Sequence, residues 1–290
     1  VYEGAMGREE IRKYVESSDC LILLGTFMTD INLGIFTAHL EQGRSIYATS
    51  EKVSIRYHTY EGIYMEDFMR GLLKANIRRR EDIDIPRPPS PVNPNPVFEK
   101  QITVEYLFQR LNAFLDDNTV VIADPGDAMF AAIDMTIHSA ARFLSPAYYT
   151  SLGFAVPASI GLQMAKPKLR PLVLVGDGAF QMSGMELATV ARFDLNPIIV
   201  VLNNRCYVTE LPMLDGGFID IHLWQYSRIP EVLNAGKGFD VKTEDQLEEA
   251  LQEARKNTDS FSILDVQIDP QDRSLALQRL TDALGKRVKR

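Results

Sequence analysis

Cysteine, basic charge and long apolar runs are all scarce in this chain, and each scarcity excludes something. Only two cysteines occur among 290 residues, Cys20 and Cys206, far apart and without a Cys-x-x-Cys spacing. A disulfide framework is therefore not expected, and a reducing, cytoplasmic setting is. Acidic residues outnumber basic ones, 39 to 31, for a formal net charge of -8. A nucleic-acid surface needs a basic face, so no nucleic-acid partner is expected. No apolar run approaches the roughly 20 residues that span a bilayer, so no membrane partner is expected either. The opening VYEGAMGREEIRKYV is not a signal peptide. It also lacks an initiator methionine, and the chain is expected to begin inside a longer protein. Internal repeats and low-complexity tracts are missing as well.

What is present reads as an ordinary globular chain, 46% hydrophobic and 24% charged, long enough for one or two domains. Residues 1–80 alternate helix and strand. The pattern predicts a helix over 9–15, a strand over 19–24, a loop over 25–32, a helix near 34–40, a strand over 45–48 and a helix over 66–74. That spacing implies parallel pairing. The loop after the first strand has no Gly-x-Gly-x-x-Gly, so it reads as structural rather than nucleotide-binding. Residues 79–98, RREDIDIPRPPSPVNPNPVF, hold six prolines, which block both helix and sheet. They read as a stiff linker. The expected organisation is part of an α/β domain over 1–80, a Pro-rich linker over 81–98 and a second α/β domain over 99–290. The fold class is thus α/β, two doubly wound parallel-sheet domains joined by that linker.

In the second domain the pattern predicts a helix over 104–115 and a strand over 119–124, ending in Pro125-Gly126-Asp127. A helix over 128–135, a loop over 143–151 with Tyr148 and Tyr149, and a small-residue helix over 154–165 follow. The expected remainder is a strand to Asp177, a helix over 179–193, a strand over 198–202, an irregular stretch over 210–224 and a short helix over 230–235. A strand over 239–241, a helix over 243–256 capped by Thr243, a strand over 261–268 and a helix from 275 complete it. The last six residues carry four basic ones, which suits a helix C-terminus.

One stretch organises the rest. From Val173 the chain reads VLVGDGAFQMSGMELATVARFDLNPIIVVLNNRCYVTE, ending at Glu210. It is an apolar strand closed by Gly176-Asp177-Gly178, an amphipathic helix, and an apolar strand closed by Asn203-Asn204. Asp177 and Asn204 therefore lie at the carboxyl ends of parallel strands, where open α/β sheets bind ligands. A helix starting near Ala179 points free N–H groups and a positive dipole end at the same place, which suits a phosphate. Asp177 offers an anionic oxygen and Asn204 a neutral one. A backbone carbonyl just beyond, at Cys206, would be a third oxygen for Mg²⁺, whose shell phosphates and water complete. Gly-Asp-Gly and Asn-Asn are each common structural turns on their own; the specificity lies in their combination around one helix.

Residues 176–204 resemble the thiamine diphosphate signature, which opens with Gly-Asp-Gly and closes with Asn-Asn. Asn203-Asn-Arg-Cys-Tyr-Val-Thr-Glu210 resembles the pyruvate and indolepyruvate decarboxylase branch of that family, which reads roughly Asn-Asn-x-Gly-Tyr-x-x-Glu. VESSDCLILLGTFMTDINLG resembles the family's central domain, and residues 99–290 its diphosphate-binding domain. The resemblance implies thiamine diphosphate and Mg²⁺ as cofactors and the conversion of a 2-oxo acid to an aldehyde and CO₂. It also implies at least a dimer, as a homo-oligomer with active sites between subunits.

Carried over by residue, Asp177, Asn204 and the Cys206 carbonyl would hold the metal. Cys206 stands where the family usually has glycine, which a main-chain contact tolerates if φ is negative; a reactive thiol is not expected there. Gly126, Asp127, Gly178, Tyr207 and Val208 fall at cofactor-contacting positions. Ala179, Phe180 and Thr209 would offer backbone N–H groups to the diphosphate. Leu152 would wedge between the cofactor's rings, although plain core packing reads equally well. The Thr150 carbonyl would accept from the aminopyrimidine, and Met213 would face the substrate. Glu210 would sit beside the reacting carbon, where burial near anionic groups would raise its pKa and let it shuttle a proton.

Two departures qualify the resemblance. Asp127 stands where many relatives have a Gly-Thr pair, and its charge would repel phosphate unless it points away or meets a cation. The decarboxylases also use a glutamate and an adjacent histidine pair on a pyrimidine-binding domain. Here His39, His58, His138 and His222 are all separate, His222 reads as a surface or interface residue, and there is no third domain. Two further readings stay open: a carboligase or lyase of the acetolactate synthase or benzoylformate type, and a non-catalytic fragment that needs a separate or missing pyrimidine-binding domain. Glu210 favours the decarboxylase over the former, because those relatives have no glutamate there.

Overall fold

The computed structural model describes residues 1–78, 84–87, 89–137 and 142–288. The chain divides into two compact units, Val1–Pro88 with Asp282–Arg290, and Pro89–Thr281. Of the proline-rich stretch, residues 84–87 and 89–97 carry neither helix nor strand, whereas 79–83 and 88 lie outside the described residues, as do His138 and the basic terminal pair Lys289 and Arg290. The stretch ends against the second unit, where Val97 N–H donates to Glu244 (2.9 Å) and Glu99 N–H to Asp245 (2.9 Å).

The first unit holds α1 (Glu9–Glu16), β1 (Leu21–Leu24), β2 (Ser45–Ala48), β3 (Lys52–Ile55), β4 (His58–Glu61) and α2 (Met65–Lys74). Its sheet runs β1-β2-β3-β4. The expected parallel pair is β1–β2, with Leu21 opposite Ser45 and Leu24 opposite Ala48. The hairpin β3–β4 and its antiparallel join to β2 go beyond the expectation and make this sheet mixed. Its two-residue turn is Arg56-Tyr57, with Arg56 at φ 55, so no Asn-Gly or Asp-Gly announces it. The helix expected near 34–40 is absent. Gly34, Ile35 and Phe36 take φ of 58, 50 and 58, a left-handed run that no right-handed helix admits. A Cβ on Gly34 would lie 2.4 Å from the Glu3 carbonyl, so only glycine fits this crossing.

The second unit holds α3 (Val104–Phe114), β5 (Thr119–Ala123), α4 (Asp127–Ala132), β6 (Phe143–Leu144), α5 (Ala155–Ala165), β7 (Arg170–Gly176), α6 (Asp177–Ser183) and α7 (Leu187–Arg192). It continues with β8 (Ile198–Asn203), α8 (Ile229–Leu233), β9 (Lys237–Val241), α9 (Glu244–Lys256), β10 (Ser262–Gln267) and α10 (Leu275–Val288), the last crossing the division between units. Six strands form one sheet in the order β6-β5-β7-β8-β10-β9, parallel throughout. Every residue of β8, and Pro171–Val175 of β7, is buried. Sheets covered on both faces need such continuous apolar runs, which is why these strands were legible. At α9, Thr243 is the N-cap, and Gln246 Oε1 accepts from the N–H groups of Lys242 (2.9 Å) and Thr243 (3.3 Å).

The helix expected over 179–193 is broken in two by a 3₁₀ turn at Gly184–Glu186. The buried Phe180 ring lies over Gly184, where a Cβ would come within 2.3 Å of it. The ring packs edge-on against buried Tyr226, with centroids 5.3 Å apart. Ser183 turns its hydroxyl away to donate to the Gly153 carbonyl (2.5 Å). Core packing thus overrides helix continuity here.

Candidate functional site

From β5 the chain passes outward to β6, and from β7 it passes the other way to β8. The carboxyl ends of β5 and β7 therefore flank the point where the winding reverses, the place at which parallel sheets open a crevice. Two loops meet there, Asp124-Pro-Gly-Asp127 and the start of α6.

Asp177 opens α6 and is 2% exposed. Its Oδ1 accepts from Gly178 N–H (2.8 Å) and its Oδ2 from Arg205 N–H (2.6 Å), so one carboxylate joins the loops after β7 and β8. Desolvation raises its pKa to about 6, against the pull of those N–H groups. Among the described residues no lysine or arginine forms a salt bridge with it. A buried carboxylate without a counter-charge is costly and is relieved by a cation.

Asn204 is buried, and its Oδ1 accepts from Cys206 N–H (3.2 Å). Arg205 between them takes φ 60, while Cys206 is not among the positive-φ residues, which meets the condition for a cysteine at that position. The Cys206 carbonyl accepts from no backbone N–H among the described residues. Its thiol pKa is pushed up by burial and by Asp177, Asp220 and Asp215, so the reactive thiolate is disfavoured, as expected. Residues 205–207 pair with 219–221 through Ile221 N–H to the Arg205 carbonyl (3.0 Å) and Tyr207 N–H to the Ile219 carbonyl (2.9 Å).

The donor chemistry suits Mg²⁺: one carboxylate, one amide oxygen and one free carbonyl, all hard oxygens, on two adjoining strand ends. No group of three or more His, Cys, Asp or Glu that could hold a metal occurs among the described residues. This set, with its single carboxylate, is of the kind that phosphate and water complete. There is also room for such a ligand. Gly126 (φ 110) and Gly176 both face open space, with nothing within 4 Å of a built Cβ.

Gly178 is fixed as glycine by its packing. A Cβ there would lie 2.6 Å from the Tyr207 ring and 2.6 Å from Ile221, so these side chains require glycine at this position. Asp127 points away from the crevice: it accepts from the Ser274 hydroxyl (2.5 Å) and N–H (2.8 Å) and is 7% exposed. Ala179 sits in the first turn of α6, whose N–H groups have no intrahelical acceptors, and Phe180 follows it. Val208 is buried and Thr209 half-buried.

The expectation of a buried Glu210 fails in this chain, where the side chain is exposed. It lies on a tight turn, Glu210 N–H donating to the Tyr207 carbonyl (2.9 Å) and Met213 N–H to the Glu210 carbonyl (2.8 Å), and Met213 is 71% exposed. Among the described residues nothing closes over that turn to desolvate the carboxyl. His39, His58 and His222 are exposed too.

Thr150 takes φ 51 and Gly153 φ 84, and between them Leu152 stands 36% exposed rather than packed in the core. Sequence reasoning missed what holds this turn. Asp124, fully buried at the end of β5, accepts from Gly153 N–H (2.9 Å) and Ala155 N–H (2.7 Å). It also missed a buried network behind the loops of Asp177 and Asn204. Asp265 in β10 accepts from Asn203 Nδ2 (2.8 Å) and Tyr226 N–H (3.2 Å), and the Tyr226 hydroxyl reaches the Asp177 carbonyl (3.4 Å). The available signal was an acid inside or closing an apolar strand run.

Residues 124–266, from Asp124 to Val266 in β10, match the family of the thiamine pyrophosphate enzyme C-terminal TPP binding domain. An indole-3-pyruvate decarboxylase of Azospirillum brasilense is 30% identical over 92% of this chain and 49% of its own length. Residues 124–266 thus carry a thiamine diphosphate-binding domain, and the chain as a whole is similar to thiamine diphosphate-dependent 2-oxo acid decarboxylases. Two further relatives are similar at lower identity. A probable pyruvate decarboxylase of Schizosaccharomyces pombe is 28% identical over 96% of this chain and 50% of its own length. An alpha-keto-acid decarboxylase of Mycobacterium leprae is 27% identical over 97% and 50%. The chain spans about half the length of the curated relatives it matches. The family's thiamine diphosphate-binding domain thus coincides with the unit that carries Asp177, Asn204 and the Leu152 turn. No helix among the described residues is long and apolar enough to cross a membrane.

Proposed function

We propose that this chain is the central and diphosphate-binding part of an enzyme that decarboxylates a 2-oxo acid to an aldehyde and CO₂, using thiamine diphosphate and Mg²⁺. The observation that carries this reading is the buried Asp177 carboxylate at the winding reversal, joined to the Asn204 loop and, among the described residues, without a salt bridge to lysine or arginine. In this reading residues 1–80 are part of the central domain, 81–98 a linker and 99–290 the cofactor domain.

When bound, thiamine diphosphate supplies a nucleophilic carbon and an electron sink for the pair released as CO₂ leaves. The chain's own residues bind and orient. Asp177, Asn204 and the Cys206 carbonyl hold Mg²⁺; the Ala179, Phe180 and Thr209 N–H groups meet the diphosphate. Gly126 leaves room beside it, while Asp127 keeps its charge on Ser274. Leu152 and the Thr150 carbonyl would support the thiamine end, the first by apolar contact and the second as a hydrogen-bond acceptor. Glu210 delivers and recovers a proton at the reacting carbon, and Met213 faces the substrate. Exposure of Glu210 and Met213 supports a corollary: the chain alone holds the cofactor without turnover, and a pyrimidine-binding domain, on a separate or longer chain, closes the site in a homodimer or tetramer.

Calorimetry with thiamine diphosphate and Mg²⁺, beside a CO₂-release assay on 2-oxo acids, tests both statements. Binding that needs Mg²⁺ and is lost in Asp177→Ala is the expected result. Absence of binding, or Asp177→Ala behaving like the parent, removes the metal-site reading. CO₂ release by the isolated chain removes the corollary.

A further inference from the structure

Asp124 has no part in the metal shell or in proton transfer, yet it is the only acid that closes β5, and it is wholly withdrawn from solvent. Its own N–H donates to the Leu174 carbonyl (2.8 Å), which anchors it on β7, the strand that delivers Asp177. Its carboxylate then accepts from backbone donors where the turn after Tyr149 runs into α5: Oδ1 from Gly153 N–H (2.9 Å) and Oδ2 from Ala155 N–H (2.7 Å), with Phe154 N–H also reaching it. The same turn is tied from the other side, where Ser183, at the end of the helix that Asp177 begins, donates to the Gly153 carbonyl (2.5 Å).

That turn is under strain. Thr150, a β-branched residue, is held at φ 51, and Gly153 at φ 84. A Cβ on Gly153 would press on Ser183 Oγ (3.0 Å) and Met182 Cβ (3.1 Å). A strained backbone persists only where its surroundings over-determine it. Here the over-determination comes from the two strand ends that also frame the metal-binding loops, and its product is an apolar side chain, Leu152, presented outward on a fixed turn.

We propose that Asp124 is a positioning residue for the cofactor: its bridging carboxylate fixes the Thr150–Gly153 turn in register with the Asp177 loop, so that Leu152 and the Thr150 carbonyl meet the thiamine end while Asp177 and Asn204 meet the diphosphate end. This rests on the cofactor reading above and adds a residue through which the two halves of the ligand are aligned. Asp124 touches neither half. Its effect is therefore confined to the thiamine end, whereas a loss of general structure falls on both.

The test uses two probes, thiamine diphosphate with Mg²⁺ and inorganic pyrophosphate with Mg²⁺, titrated by calorimetry into the parent chain, Asp124→Asn and Ser183→Ala. Asp124→Asn keeps one acceptor and the side-chain volume, and Ser183→Ala loosens the same turn without touching β5. Both variants are expected to bind thiamine diphosphate about tenfold more weakly, the scale of an orienting partner's loss. Pyrophosphate affinity is expected to stay within about twofold, because its ligands are untouched. Hydrogen exchange of the amides of residues 151–156 is expected to quicken in both. Equal losses on both probes, or none, overturn the proposal, as does unchanged exchange in Asp124→Asn. A parent that binds neither probe overturns the cofactor reading and this proposal together, whereas a parent that binds both, matched by its variants, overturns this proposal alone.

Discussion

Asp177 meets two opposing demands: it is buried where it ties two loops together, and it would have to be charged to hold the proposed metal. Its carboxyl is raised to about 6 from the ordinary 3.8 by desolvation. An acid whose folded pKa is raised binds extra protons in the native state. Its stabilising contribution is therefore full below the unfolded value and is lost as pH rises through about 6. In metal-free protein this amounts to at most about 3 kcal/mol of strain above that pH. Asp177→Asn removes the charge but turns an amide N–H₂ toward one backbone donor, which returns about 1–3 kcal/mol of cost. The metal-free variant is accordingly expected to lie within about 2 kcal/mol of the parent at pH 7. Its stability, read from urea midpoints, is expected to be flatter between pH 4 and 7. If the parent shows no decline relative to the variant across that range, Asp177 is not the strained carboxylate described. In the proposed metal site Mg²⁺ would have to displace the same proton, so its apparent affinity for the parent is expected to fall as the pH drops below about 6.

At the scale of elements, glycines and turns mark where packing overrides local propensity. Gly184 lets the Phe180 ring fold back and splits α6 from α7. Gly184→Ala is expected to cost about 1–3 kcal/mol through overpacking and to lower the melting temperature by several degrees. An unchanged melting curve would mean that the ring moves aside freely. Thr150→Gly offers the opposite sign. It relieves a left-handed β-branched residue, worth about 1–2 kcal/mol, but gives back about 0.5–1 kcal/mol of unfolded-state entropy. The net expectation is a small gain in denaturant midpoint, and a loss would show that Thr150 makes contacts that outweigh its strain. In the Asn203–Asp265–Tyr226 network, Asp265→Ala leaves two buried donors without acceptors. A loss of at least about 2 kcal/mol is expected in chemical denaturation.

For the whole molecule, ligand linkage gives the broadest check. Thiamine diphosphate with Mg²⁺ at about a hundred times its dissociation constant is expected to stabilise the second unit by about 2.7 kcal/mol. Scanning calorimetry should show that transition shifting and the transition of the first unit staying in place. A shift of both together, or of the first alone, would contradict a site built wholly within residues 89–281. The division matters because α/β architecture is common to both units, whereas the all-parallel sheet and its winding reversal belong to the second.

The sequence by itself determined the elements whose signals are local. Continuous apolar runs announced β7, β8 and β10, since a strand covered on both faces has no polar alternation to confuse it. Gly176-Asp177-Gly178 and Asn203-Asn204 announced the strand ends and their oxygen donors, because spacing along one β-helix-β unit sets their placement. Tertiary structure alone decided the rest. Asp124 clamps a turn about thirty residues downstream only because β5 pairs with β7, and such partners are set by sheet order rather than by periodicity. Gly178 proved to serve Tyr207 and Ile221, and Asp127 to serve Ser274, contacts that span long sequence separations. The exposure of Glu210 follows the same rule: burial is a property of what surrounds a side chain, and its motif could name the residue but not its surroundings.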